Sequence, residues 1–230
     1  MTTRQATFFS GVKASSPLIL GMVPFALIAG IAAVNAGLST LEALAMSYIV
    51  FAGAAQLATV DLVGQQAPVI VIVFTALIIN LRFFMYSAAI APHFQGLPLH
   101  ARGGLAYLLT DQAFAVSMTA YNRGRHEYKA WFYLGAAMTM WLTWQIGTSI
   151  GVFVGARVPE SWSLEFAIPL TFLALLLPSV KDRPCVVAAI SAGILALVGA
   201  GLPYNLGLFL AALGGIGAGV LADTRKSHDR

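Results

Sequence analysis

Charge is what this 230-residue chain has least of. Asp, Glu, Lys and Arg make up 10% of it against 59% apolar residues, and the mean hydropathy is +0.82. A soluble domain carries about 25% charged residues, so a water-exposed globule is excluded and an integral membrane protein is implied. Cysteine is nearly missing: the single Cys185 excludes an intrachain disulfide and a cysteine-based metal site. The four histidines (His93, His100, His126, His228) fall in expected loops and the tail, without ligand spacing. There is no HExxH, P-loop or GxGxxG, so neither an enzyme nor a cofactor is expected. ATP could act only through another chain. No stretch interleaves aromatic and basic residues as a nucleic-acid surface would. The net charge of +4 comes from short basic clusters between apolar runs, the pattern of a membrane topology. No long hydrophilic segment interrupts the chain. It reads as one integral membrane domain, 1–230, embedded over 15–222, with cytoplasmic tails at 1–14 and 223–230.

What is present is a series of apolar runs. A helix crossing a bilayer needs about 20 apolar residues, and eight such runs lie near 15–37, 40–63, 67–92, 101–121, 129–156, 163–180, 184–201 and 203–222. The run after Lys13 is too long for a secretory signal, so it is read as a retained first span. The expected fold is therefore an all-α, polytopic transmembrane bundle of about eight spans. With the N-terminus inside, ten Lys and Arg fall on the cytoplasmic side and only Arg102 and Arg157 outside, which favours both termini inside. A seven-span alternative would put Arg225, Lys226 and Arg230 on the wrong side. Thr40-Leu41-Glu42 after one tight loop is echoed by Ser163-Leu164-Glu165 after another. Such an echo suits a fold built from two repeats with broken helices. Ser39 and Glu42 also have capping-box spacing.

Chemistry-bearing residues stand out against this background. Asn80 and Arg82 lie deep in the run 67–92, and a charge there faces a bundle interior or a wet cavity rather than lipid. Arg82 is about ten residues from the run's end, roughly 15 Å deep. Asp111 lies at similar depth in the next run, so antiparallel packing would bring the two together. Such a pair is either structural or a gate and substrate anchor, and both uses demand the same pairing. Gln112 follows Asp111, while Asp61 sits near a span end as a solvated carboxylate. The step Gly53-Ala54-Ala55-Gln56 marks a helix break or a close backbone approach, with Gln56 as a candidate substrate contact. Pro24 and Pro169 are candidate kinks. Gly147, Gly151 and Gly155, and again Gly215 and Gly219, have the small-xxx-small spacing of tight helix packing. Trp131, Trp141, Trp144 and Trp162 suit interfacial anchors.

Five strings occur in order: PFALIAG (24–30), FAGAAQ (51–56), NLRFFMYS (80–87), TDQAF (110–114) and LEFAIPLTFLALLLP (164–178). Together they resemble the large, AzlC-type subunit of the branched-chain amino acid exporters over nearly the whole chain. Phe83 stands where that family commonly has His after Asn-Leu-Arg. The resemblance implies proton-driven export of valine, leucine, isoleucine or methionine from a bacterial inner membrane, with a small AzlD-type membrane subunit as partner. Arg82 would then face the substrate carboxylate, and Asp111 its ammonium or the coupled proton. Two other classes fit the composition: a membrane scaffold or assembly subunit, and a passive channel, for which polar residues are few.

Overall fold

The computed structural model describes residues 3–124, 128–155, 180, 182–202 and 206–228. The chain forms two compact units, Met1–Leu164 and Glu165–Arg230. Among the described residues all regular structure is helical, as the composition requires.

The first unit opens with α1 (Arg4–Ser15), which continues through a 3-10 turn at Ser16–Leu18 into α2 (Ile19–Asn35). The expected N-terminal tail is thus largely helical, and Pro24 is accommodated inside α2. After a turn with Gly37 at φ +90° come α3 (Thr40–Val50) and α4 (Gly53–Gly64). The expected capping box starts α3: Glu42 Oε2 accepts from Ser39 N–H at 2.8 Å, and Ser39 Oγ accepts from Glu42 N–H at 3.3 Å. Next are α5 (Val69–Asn80) and α6 (Arg82–Ile90), which a 3-10 turn extends to Phe94. Then follow α7 (Leu99–Tyr107), α8 (Asp111–Asn122) and the 27-residue α9 (Lys129–Gly155). Arg4–Asn35 and Val69–Phe94 are the two described helices long and apolar enough to cross a membrane.

The first long helix and α9 lie side by side and run the same way. A methyl group on Gly11 would overlap the Phe132 carbonyl, and one on Gly135 the Phe8 carbonyl. Toward the other end, Gly151 is equally tight against Leu27, and Gly155 against Ile31. The glycine face expected on α9 is therefore a packing face, where absent side chains let two backbones touch. Gly151→Val is expected to destabilise the protein by about 1–3 kcal/mol through overpacking. Gly103→Ala, inside α7 where nothing lies within 4 Å, should not lower the melting temperature of the solubilised protein and should raise it slightly, by about 0.4–1 kcal/mol of stability.

Two segments expected to cross from end to end do not. On α3, Ala43 clusters with Ala33 and Val152, and Ser47 bonds Gln145. The helix thus climbs from the Asn35 end to the middle of α9. At Phe51 the backbone turns left-handed (φ 39°, ψ 52°), which terminates the helix. Then α4 descends: Gly53 lies beside Phe25 and Trp144, Val60 joins Ala33 and Val152, and Gly64 reaches Ala36. The second hairpin, α7–α8, enters from the opposite end. Tyr133 donates to the Leu105 carbonyl, and Trp141 donates to the Tyr107 hydroxyl. The chain breaks at Leu108–Thr110, and α8 returns until Tyr121 donates to the Lys129 carbonyl at 2.7 Å.

Each 9- to 12-residue arm is about 14–18 Å long, half a bilayer core of about 30 Å. The runs 40–63 and 101–121 have the composition of spans because the returning arms bury apolar residues against protein, while α3 and α7 leave Leu41, Ile49, Val50 and Leu99 exposed on the apolar outside. Length and hydropathy therefore do not separate them from spans. The connection 64–68 consequently shares an end with 36–39, and 95–98 shares the other end with Lys129.

The two hairpins are built alike. In each, the arm after the tip lies along the helix preceding the hairpin: Gly53 beside Phe25 and Gly64 beside Ala36 in one, Phe114 on Tyr86 and Tyr121 on His93 in the other. The same motif occurs twice with opposite orientation. The second half of the Thr40/Ser163 echo, with Trp162, Pro169, the last family-like string and the run 163–180 up to residue 179, lies outside the described residues.

In the second unit, α10 (Arg183–Val198) is capped by Asp182, which accepts from Cys185 N–H at 2.9 Å. It packs against α11 (Leu206–His228), with Gly215 against Ala192 and Ala188, and Gly219 against Ala188. The second expected glycine face is thus also a helix contact.

Candidate functional site

The tips of the two hairpins meet at the middle of α9. The Tyr107 hydroxyl donates to the Tyr48 carbonyl, and the Trp141 indole N–H donates to Tyr107 at 3.1 Å. The rings of Phe51 and Tyr107 lie 6.0 Å apart. Gln145 latches the first hairpin: its side chain accepts from Ser47 Oγ at 2.9 Å and donates to the Ser47 carbonyl at 3.1 Å.

Arg82 begins α6, where the ladder tightens through Leu81 N–H to Ile78 O and Phe84 N–H to Leu81 O. It stands near the middle of the helix Val69–Phe94. Its Nη2 lies 3.1 Å from Asp111 Oδ2, and the two side chains are 30% and 40% exposed. The pairing expected from depth is therefore present. Asp111, however, opens a half-helix at a hairpin tip rather than sitting inside a continuous span. There a carboxylate also interacts favourably with the helix dipole. Thr110 caps the same helix, accepting from Ala113 N–H at 3.2 Å.

Phe83, in the position where His is usual, packs its ring 5.2 Å below the Arg82 guanidinium and 6.1 Å from Tyr86. Tyr86 stacks on Phe114 at 4.4 Å. Asn80 Oδ1 and Arg82 Nε are buried without a hydrogen-bond partner among the described residues. Gln112 is half-buried in the first turn of α8.

Gly53 and Gln56 belong to the other tip. Gly53 opens α4 directly after the break, where the sequence pointed. A Cβ there would lie 2.7 Å from Trp144 and 3.0 Å from Phe25, so only glycine lets both rings come this close. Gln56 is fully buried, and among the described residues neither of its amide atoms has a partner. The structure thus joins Arg82 with Asp111, and puts Gly53 and Gln56 across the tip contact from them. Asp61, away from the tips, accepts from Gln65 at 2.9 Å. Ser47, Tyr107, Trp144, Gln145 and Thr148 were missed as site residues. The signal available was the polar string Thr143-Trp144-Gln145 in the centre of α9.

A sequence model of the family described as AzlC protein matches residues 17–158, a span that includes both hairpins. An Archaeoglobus fulgidus protein named only as a membrane protein is 35% identical, with 93% of this chain and 94% of that one covered. The Escherichia coli inner membrane protein YgaZ is 28% identical, covering 80% and 79%. The Bacillus subtilis branched-chain amino acid transport protein AzlC is 24% identical, covering 74% and 66%. No solved structure matches the chain.

Proposed function

The chain belongs to the AzlC family of membrane transport proteins, and from that premise we propose that it exports branched-chain amino acids. Valine, leucine and isoleucine are the substrates, with methionine a fourth candidate. The proton-motive force drives export across the bacterial inner membrane, together with a small AzlD-type subunit. The chain acts as one transporter domain.

The observation that carries this reading is a pair of opposite charges, Arg82 and Asp111, 3.1 Å apart where two oppositely entering hairpins meet. A zwitterion presents the complementary pair. Its ammonium, or the coupled proton, can take Asp111 while Arg82 turns to a carboxylate. Asn80 and Gln112 flank the pair, and Gly53 and Gln56 line the facing tip. The name of the Bacillus subtilis relative supports the substrate class, while export and the partner rest on the family resemblance. Apolar walls discriminate one methylene by only about 1–3 kcal/mol, so overlapping substrates are expected.

Charge also favours one orientation. Arg4, Lys13, Arg102, Arg123 and Lys129 lie at or toward the end that holds the N-terminus, while the connections 36–39 and 65–68 at the other end contain neither Lys nor Arg. The first end is therefore the cytoplasmic one.

The function is tested by efflux of labelled valine, leucine, isoleucine and methionine from loaded cells. The chain is expressed alone, then with a neighbouring small membrane subunit, then with the proton gradient collapsed. Efflux should require both the partner and the gradient. Absence of efflux under every condition, with protein present in the membrane, would reject the exporter reading.

A further inference from the structure

We propose that the start of α4 is a second carboxylate seat on the transport route, formed by the amides of its first turn with Gln56, Trp144 and Thr148. The seat rests on the amino-acid reading above and adds to it a site across the tip contact from Arg82.

The comparison of the two tips is what points to it. Both hairpins end in a helix whose positive N-terminus faces the middle of the bundle. At the second tip the chain supplies its own acceptors: Thr110 caps the helix and Asp111 places a carboxylate in its first turn. At the first tip the matching positions hold Ala52 and Gly53, and no side chain caps the helix. A helix start without an internal acceptor is a ready anion site, because free amides and the dipole act together.

Three buried polar side chains with no hydrogen-bond partner among the described residues lie within about a turn of that helix start: Gln56 on α4 itself, Trp144 whose ring meets Gly53, and Thr148 one turn along α9. Gln56 is 0% exposed, Thr148 0% and Trp144 2%, and the Gln56 amide, the Thr148 hydroxyl and the Trp144 indole nitrogen all lack partners. Because α4 runs parallel to α9, with Gly53 beside Trp144 and Val60 clustered with Val152, Gln56 lies level with Thr148. Trp144 and Thr148 are one helical turn apart on one face of α9. A side chain on α4 leans back toward the helix start, which brings Gln56 over the free amides. Indole N–H can only donate, and amide and hydroxyl can donate, so the set suits an acceptor-rich anion. Leaving such groups buried and unpaired is costly, and a carboxylate would satisfy the donors among them together, the Gln56 Nε2, Thr148 hydroxyl and Trp144 indole N–H. The Trp144 and Phe25 rings on Gly53 close the seat in this conformation, and their movement would admit the ligand.

The test uses the full-length protein in detergent, followed by tryptophan emission. It is titrated with leucine, with 4-methylvalerate (which lacks the ammonium) and with leucinamide (which lacks the carboxylate). Leucine and 4-methylvalerate should change the emission, and leucinamide should not. Trp144→Phe, with the other three tryptophans in place, should lose the change. Gln56→Leu and Thr148→Val should each raise the leucine Kd about tenfold. Ala52→Asp, which gives α4 its own carboxylate, should abolish binding while melting curves show a folded protein. Unchanged leucine affinity in Gln56→Leu and Thr148→Val, or an emission change that survives Trp144→Phe, overturns the seat and leaves the transport reading intact. If the unaltered protein shows no leucine-dependent change in emission, the seat fails, and the transport reading is decided by the efflux assay with the partner present.

Discussion

Asp111→Asn and Arg82→Gln are each expected to lower leucine efflux about 10- to 100-fold while leaving protein level and melting temperature nearly unchanged. The magnitude follows from losing one charge-assisted contact, about 1.5–3 kcal/mol, at about 1.4 kcal/mol per factor of ten. The small effect on stability follows from exposure. The side chains are 30% and 40% accessible, so neither is enclosed by its own chain, and a pair that opens onto a water-filled cavity, as a membrane charge requires, contributes about 0–1 kcal/mol. A purely structural pair predicts the reverse pattern, a lower melting temperature with flux per folded molecule unchanged. Efflux normalised to the folded fraction separates the two.

The exchange Arg82→Asp with Asp111→Arg sharpens the test. If the groups meet as the 3.1 Å contact indicates, the double variant should regain stability relative to either single change, a coupling that a double-mutant cycle isolates. Transport should not return with it. The carboxylate would leave the helix start at the tip, and an arginine there opposes the dipole.

Much of this site could be read from residue order. Arg82 and Asp111 were paired by counting depth in two apolar runs, and the contact exists. Depth survives an error in topology because a hairpin tip and a span midpoint lie at the same level. The break before Gly53 was legible from its run of small residues. The packing faces of α9 and α11 were legible from glycines four residues apart. Phe51 gave no warning, since a left-handed backbone at a bulky aromatic is a tertiary effect held by its surroundings. The break at Leu108–Thr110 contains neither glycine nor proline. The polar partners on α9 were hidden because Gln145 and Thr148 in an apolar helix look the same whether they latch a hairpin or line a site.

The folded-back hairpins make a second prediction that is close to all-or-none. In a Cys185→Ser background, a cysteine at Gln65 should react with a membrane-impermeant maleimide added outside intact cells. A cysteine at Gln95 should react only after permeabilisation, as should one at Arg123. All three positions are exposed. Alternating spans would give the opposite result for the first two, with Gln65 inside and Gln95 outside, and the same result for Arg123, which serves as the fixed reference. The difference turns on Arg102. As part of an outer loop it is an exception to the positive-inside pattern, whereas on a hairpin entering from the Lys129 end it joins the other basic residues. That end also holds the ammonium of Lys129 donating to His93 Nδ1 at 3.1 Å and Arg4 over the Tyr128 ring at 5.9 Å. These contacts tie residues 4, 93 and 129 to one side. If Gln95 labels from outside, the α7–α8 segment crosses the membrane, the two tips do not meet at one depth, and the proposed shared site at Arg82, Asp111, Gly53 and Gln56 loses its geometric basis.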